Sequence, residues 1–140
     1  MNISLGARGI GLAHGKAILL GEHSVVYGGP ALALPVAALS VRAEVSPLDA
    51  GIADQGSVIH SELYHGTIAQ APPRLLPTVT ALGAALAAFA PEQRVTLHIS
   101  SMLPAERGLG SSAAVAGAIV AAVANLCDVI PSSDELFDLI

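Results

Sequence analysis

Apolar and polar residues alternate along two stretches of the chain. Leu39, Val41, Ala43 and Val45 alternate with Ser40, Arg42 and Glu44, and Val95, Leu97 and Ile99 alternate with Arg94, Thr96, His98 and Ser100. A period of two sends successive side chains to opposite faces of a sheet, so both stretches predict half-buried strands, the first closed by Pro47. Ser57 to Leu63 predicts another strand after a turn at Gly51 to Gly56, and Tyr64, His65 and Gly66 read as a second turn, giving a hairpin or meander. Lys16 to Leu20 is a short apolar run. It predicts a strand entered from a flexible glycine-rich start, Gly6 to Gly15, and ended by Gly21.

Two longer segments change the period. After Pro72, Pro73 and Pro77, the Ala/Leu-rich stretch Thr78 to Ala90 predicts a helix that stops at Pro91. Ser111 to Asn125 is alanine-rich and apolar almost all round, which predicts a buried helix rather than a surface one. Ser132 and Glu135 have capping-box spacing before Leu136, Phe137, Leu139 and Ile140, so a third helix starts where the chain stops. With Phe137 and Ile140 left seeking a partner surface, residue 140 reads as a truncation point. The pattern as a whole is a mixture of α and β.

Composition narrows this to one folded domain. The chain has 140 residues, 53% hydrophobic and 12% charged, which supports a packed core and argues against disorder. With no Trp, two Tyr and two Phe, that core must be built from small aliphatic side chains. A net charge of -5 without a Lys/Arg cluster argues against a nucleic-acid partner. Cys127 is the only cysteine and lies among apolar neighbours, so it reads as a buried structural thiol. The start of the chain does not read as a secretion signal, and the run Ala113 to Ala124 is about half of the roughly 20 residues a spanning helix needs. The expectation is therefore a cytoplasmic protein without a membrane partner.

The densest candidate chemistry is Pro104-Ala105-Glu106-Arg107-Gly108-Leu109-Gly110-Ser111-Ser112-Ala113-Ala114, between a predicted strand and a predicted helix. Gly108 and Gly110 permit unusual backbone geometry and close approach of a ligand. The unpaired N–H groups of the helix start favour an anion such as phosphate, and the hydroxyls of Ser111 and Ser112 could also ligate Mg²⁺. The same residues equally describe a glycine turn whose serine caps an alanine-rich helix. No Lys follows the glycines and there is no third Gly, which disfavours the two common nucleotide-binding glycine loops.

A second segment runs Gly15-Lys16-Ala17-Ile18-Leu19-Leu20-Gly21-Glu22-His23-Ser24-Val25-Val26-Tyr27-Gly28-Gly29-Pro30. It gathers a cation, a carboxylate and an imidazole around one strand, a trio suited to a polar ligand. Taken singly, Lys16 reads as a solvated charge, Glu22 as a turn residue and His23 as a structural histidine.

Together, G-K-x-I-L-x-G-E-H-x-V-V-Y-G-x-P-A and P-x-x-x-G-L-G-S-S-A-A resemble the GHMP kinase superfamily, and Val25-Val26-Tyr27 follows the pattern of its mevalonate kinase branch. The resemblance is densest from Lys16 to Ala33 and from Pro104 to Ala116. His14 stands where the family often has Pro, and Glu106-Arg107 stand where many members have small residues.

The resemblance implies an α+β GHMP kinase N-terminal ATP-binding domain over residues 1–140, similar to the ribosomal protein S5 domain 2-like fold, with the C-terminal domain absent. It implies a phosphotransferase that uses ATP and Mg²⁺ to convert mevalonate to 5-phosphomevalonate on the route to isoprenoids. Gly108, Leu109, Gly110, Ser111 and Ser112 would wrap the phosphates, with Ser112 as the Mg²⁺ ligand. Lys16 would be the catalytic cation, and Glu22 and His23 would stand at the substrate mouth. The family's catalytic Asp and acidic Mg²⁺ ligand lie downstream in complete members, and Asp128, Asp134 and Asp138 match neither motif, so these residues alone are expected to be inactive. A homodimer stays open. The alternatives are a sister kinase, such as a phosphomevalonate kinase or galactokinase, and a non-catalytic binding or regulatory protein on the same fold.

Overall fold

A computed structural model of the chain describes residues 3, 7–48, 56–104 and 108–140. Its strands are β1 (Gly9–Leu20), β2 (Leu32–Pro47), β3 (Val58–Ser61), β4 (Tyr64–Thr67) and β5 (Val95–Ser101). Its helices are α1 (Leu76–Phe89), α2 (Ser111–Leu126) and α3 (Ser133–Leu139). The strands form one sheet in the order β1-β2-β5-β3-β4, antiparallel throughout except for the parallel pair β3–β5. This is the α+β architecture expected from the sequence.

The alternating strands bury the phase they should. Val41, Ala43 and Val45 of β2, Ile59 of β3, and Val95 and Leu97 of β5 are fully buried. They meet Ala118, Ile119, Ala122 and Val123 of α2 and Leu82 and Ala85 of α1 in one core. The opposite phase, including Arg42, Glu44, His60 and His98, faces away from the helices. On that face Arg42 and Arg8 both bond the Glu44 carboxylate, at 2.8 and 2.9 Å. The hydrogen bond from Arg42, partly opposed by desolvation, holds Glu44 below the usual carboxylate range.

Three expectations are corrected. From Gly9 on, the glycine-rich start is strand: β1 already begins there, because Gly9 and Gly11 let it lie directly on α2. A Cβ at either glycine would collide with the backbone carbonyl of Ala122 or Ala118, respectively. Asn125 of α2 secures the same contact by accepting a 2.8 Å hydrogen bond from the Ile10 amide. Second, Tyr64, His65 and Gly66 do not turn the chain. The hairpin turns at Glu62 and Leu63, and Ser61 pairs with Tyr64. Third, β2 starts at Leu32, well before its alternation becomes visible. The turn predicted from Gly51 lies, up to residue 55, outside the described residues.

The helices agree more closely. Pro73 opens a 3-10 turn and Pro77 sits in the first turn of α1, where a missing N–H is harmless. The capping box is formed at α3: Ser132 Oγ accepts from the Glu135 amide, and the Glu135 carboxylate accepts from the Ser132 amide. Those bonds to Ser132 hold the Glu135 carboxyl below its ordinary value. Leu136 and Leu139 pack partly against the core, while Phe137 stays 83% exposed. Cys127 is buried, and burial pushes its thiol pKa up, which suits a structural thiol. No helix among the described residues is long and apolar enough to cross a membrane.

Candidate functional site

β1 changes register just before Lys16. His14 pairs with Ser40 but Gly15 pairs with Val36, so residues 37–39 of β2 form a bulge. Beyond the bulge, the β1–β2 ribbon continues past the end of β5, whose last partner on β2 is Val41. Lys16 therefore stands where the ribbon leaves the sheet, with the chain before α2 beside it.

Two bonds join Lys16 to that chain. Its amide donates to the Leu109 carbonyl at 2.9 Å, and its Nζ donates to the Gly108 carbonyl at 3.4 Å. Gly15 next to it has no room for a side chain, because Leu103 and the Leu109 carbonyl crowd the position. Gly110 closes the corner. At φ 70° it occupies the left-handed region, and a Cβ there would stand 3.0 Å from Lys16 Cγ. Gly108 has a similar φ of 69° but open space around it.

Gly110 is the N-cap of α2, and the first helical bond runs from the Ala114 amide to the Gly110 carbonyl at 2.9 Å. No side chain caps this end. The serine-cap alternative therefore fails: Ser111 and Ser112 lie inside the first turn. The first-turn amides have no side-chain cap, and the Lys16 ammonium is held at Gly108, two residues before the N-cap, at the positive end of a 16-residue helix. This combination favours an anion with several oxygens.

The residues present fit phosphate better than they fit a complete metal site. Ser112 is exposed and offers one hydroxyl oxygen. Mg²⁺ usually takes one or two carboxylates together with phosphate oxygens, and no group of three or more His, Cys, Asp or Glu among the described residues is arranged to hold a metal ion. Ser112 could supply one ligand to a metal that arrives with its phosphates.

Glu22 and His23 are not brought to Lys16. They follow the end of β1 at Leu20, which is four strand residues, or about 13 Å, beyond Lys16. Both are exposed. The connection after them is a built turn: Ser24 Oγ donates to the carbonyls of Gly21 and Pro30, and Ser24–Tyr27 forms a 3-10 turn. Val26 and Tyr27 on it are 75% and 90% exposed. Glu106 and Arg107 lie outside the described residues. Sequence reasoning named Leu109 and Gly15 within the two motifs but missed the contacts by which they join segments far apart in the chain. It also missed a row of three histidines running to the opposite edge of the sheet.

Comparison with known proteins bears on the family and the fold. The family model described as GHMP kinases N terminal domain matches residues 78–140. A mevalonate kinase of Pyrococcus abyssi is 36% identical over 137 residues, which is 89% of this chain and 40% of that protein. The chain thus spans about two fifths of the length of the curated relatives it matches. The crystal structure of mevalonate kinase from Staphylococcus aureus MRSA252 superposes with a TM-score of 0.70 at 30% identity, covering 94% of this chain and 43% of that one. Phosphomevalonate kinase of Streptococcus pneumoniae, solved with phosphomevalonate and AMPPNP, shares the fold with a TM-score of 0.71 at 21% identity, covering 93% of this chain and 40% of that one. Sequence match and shared architecture together identify the chain as a GHMP kinase N-terminal domain.

Proposed function

We propose that residues 1–140 form the ATP-binding domain of a kinase that phosphorylates the primary hydroxyl of mevalonate, giving 5-phosphomevalonate. The observation that carries this reading is the junction of Lys16 with Gly108 and Leu109 at the uncapped start of α2. The likeness to mevalonate kinases over nine tenths of the chain supports mevalonate as the substrate.

In this reading the amides of Gly110, Ser111 and Ser112 receive the ATP phosphates, and the glycines let the backbone approach them. The substrate hydroxyl oxygen forms a bond to the γ-phosphorus, the bond from that phosphorus to the bridging oxygen breaks, and ADP leaves with the electron pair. Lys16 Nζ moves from the Gly108 carbonyl toward the phosphoryl group and stabilises charge as it develops. Mg²⁺, held in part by the Ser112 hydroxyl, would neutralise phosphate charge when bound. Glu22 and His23 stand at the mouth of the substrate site. The base that takes the hydroxyl proton comes from the part of the protein that corresponds to the remaining three fifths of its relatives, in the cytoplasm where the pathway runs. The 140 residues alone bind nucleotide without turnover.

Steady-state kinetics on the longer protein provide the test. Lys16→Met should lower kcat by about 10²-fold or more, with an unchanged melting temperature. Turnover of mevalonate by the 140-residue chain above its Lys16→Met variant would refute the division of labour. Preference of the longer protein for phosphomevalonate or galactose would transfer the reading to a sister kinase. Absence of nucleotide binding would leave only a non-catalytic relative.

A further inference from the structure

Away from the phosphate loop, the strand register places three imidazoles in one row. His60 of β3 pairs directly with His65 of β4 on one side and with His98 of β5 on the other. The three strands are the ones farthest from β1, so this row runs from the central strand β5 to the sheet edge opposite Lys16. His60 Nδ1 and His65 Nδ1 approach to 3.0 Å. The His98 ring stacks on His60 with centroids 4.8 Å apart and planes 14° from parallel. An open cavity of about 350 Å³ lies over the row, lined also by Arg42, Ser61 and Glu62.

Two imidazole nitrogens at this separation cannot point lone pairs at each other unless something positive lies between them. A shared proton does this when one ring is the Nδ1–H tautomer. A metal ion does it when both rings keep their proton on Nε2 and turn both lone pairs inward, with no net loss of protons. With metal–nitrogen bonds of about 2.0–2.1 Å, nitrogens 3.0 Å apart subtend roughly 95° at the ion. That is the angle between neighbouring ligands in tetragonal or octahedral coordination, and it is narrow for a tetrahedron.

We propose that His60 and His65 form a two-imidazole site for a divalent transition metal, Ni²⁺ or Cu²⁺ in preference to Zn²⁺. His98 is a positioning residue that holds the His60 ring plane, and water completes the coordination through the cavity. Arg42, the cation in the cavity lining, is held by Glu44 at 2.8 Å, and Glu62 on the cavity rim offsets the added charge. Bound metal would pin the β4 edge of the sheet to β3.

The test is calorimetric titration of the metal-free chain with NiCl₂ at pH 7.5, beside His65→Gln, His60→Gln and His98→Gln, with thermal melts of each. His65 is exposed, so His65→Gln is expected to leave the fold intact and to lose one Ni²⁺ equivalent and the Ni²⁺-induced rise in Tm. His60→Gln should lose the same equivalent, and His98→Gln should retain it with weaker affinity. With Cu²⁺, electron paramagnetic resonance should show two equatorial nitrogens in the parent and fewer in His65→Gln. Equal Ni²⁺ stoichiometry and affinity in the parent and a folded His65→Gln variant would overturn the proposal and leave a proton-sharing pair. Tighter binding of Zn²⁺ than of Ni²⁺ would overturn its geometry.

Discussion

At Gly9 and Gly11 there is no room for a side chain, because β1 lies directly on the backbone of α2. At Gly108 there is ample room, and at Gly110 only the flexible Lys16 side chain is near, yet both hold φ close to 70°. The first pair serves distance between elements and the second serves backbone direction. A sequence shows the same letter in both places. The first pair sets how closely β1 and α2 pack, and the second sets the path of the backbone into α2.

Substitution can break this contrast. Gly11→Val should have the largest effect, costing about 3 kcal/mol or more of stability in urea denaturation, because a carbonyl of α2 cannot step aside as a side chain can. Shrinking the side chain opposite by Ala118→Gly should not rescue it, and a rescue would show that side-chain crowding was the cause. Gly110→Ala should cost about 1–2 kcal/mol from its left-handed φ and should also displace Lys16, weakening nucleotide binding. Gly108→Ala carries a similar backbone cost with no collision, so its binding loss should be smaller. Equal binding losses by calorimetry would mean that Lys16 does not sense Gly110. Gly83 in α1 has neither demand, since nothing lies within 4 Å of a Cβ there. Gly83→Ala should raise stability by about 1 kcal/mol, and a loss instead would reveal a third reason for glycine.

The same contrast explains what could be read from the letters. β5 and the second half of β2 were legible because each buries one face against the core and so shows a period of two, whereas α1 and α2 were legible from their alanine-rich composition. β1 was half-hidden, because Gly9 and Gly11 resemble a flexible leader until α2 is placed on them. β4 was hidden because its turn, Glu62-Leu63, contains no Gly, Pro or Asn. The first half of β2 carries Leu32, Leu34 and Pro35 on a ribbon partly exposed beyond β5, so no alternation marks it. Within the candidate site, the glycine loop and Lys16 were visible as separate motifs, but their union depends on a backbone bond spanning most of the chain. Resemblance joined them where periodicity could not. Glu22 and His23 were read in one breath with Lys16, and they follow it past the end of β1 at Leu20.

The bond from the Lys16 amide to the Leu109 carbonyl also gives the protein an internal reporter. One exchangeable hydrogen on a strand is protected only while the loop ahead of α2 keeps its shape. Its deuterium uptake therefore times the opening of that loop, separately from the slower exchange of neighbouring amides that requires the sheet itself to part.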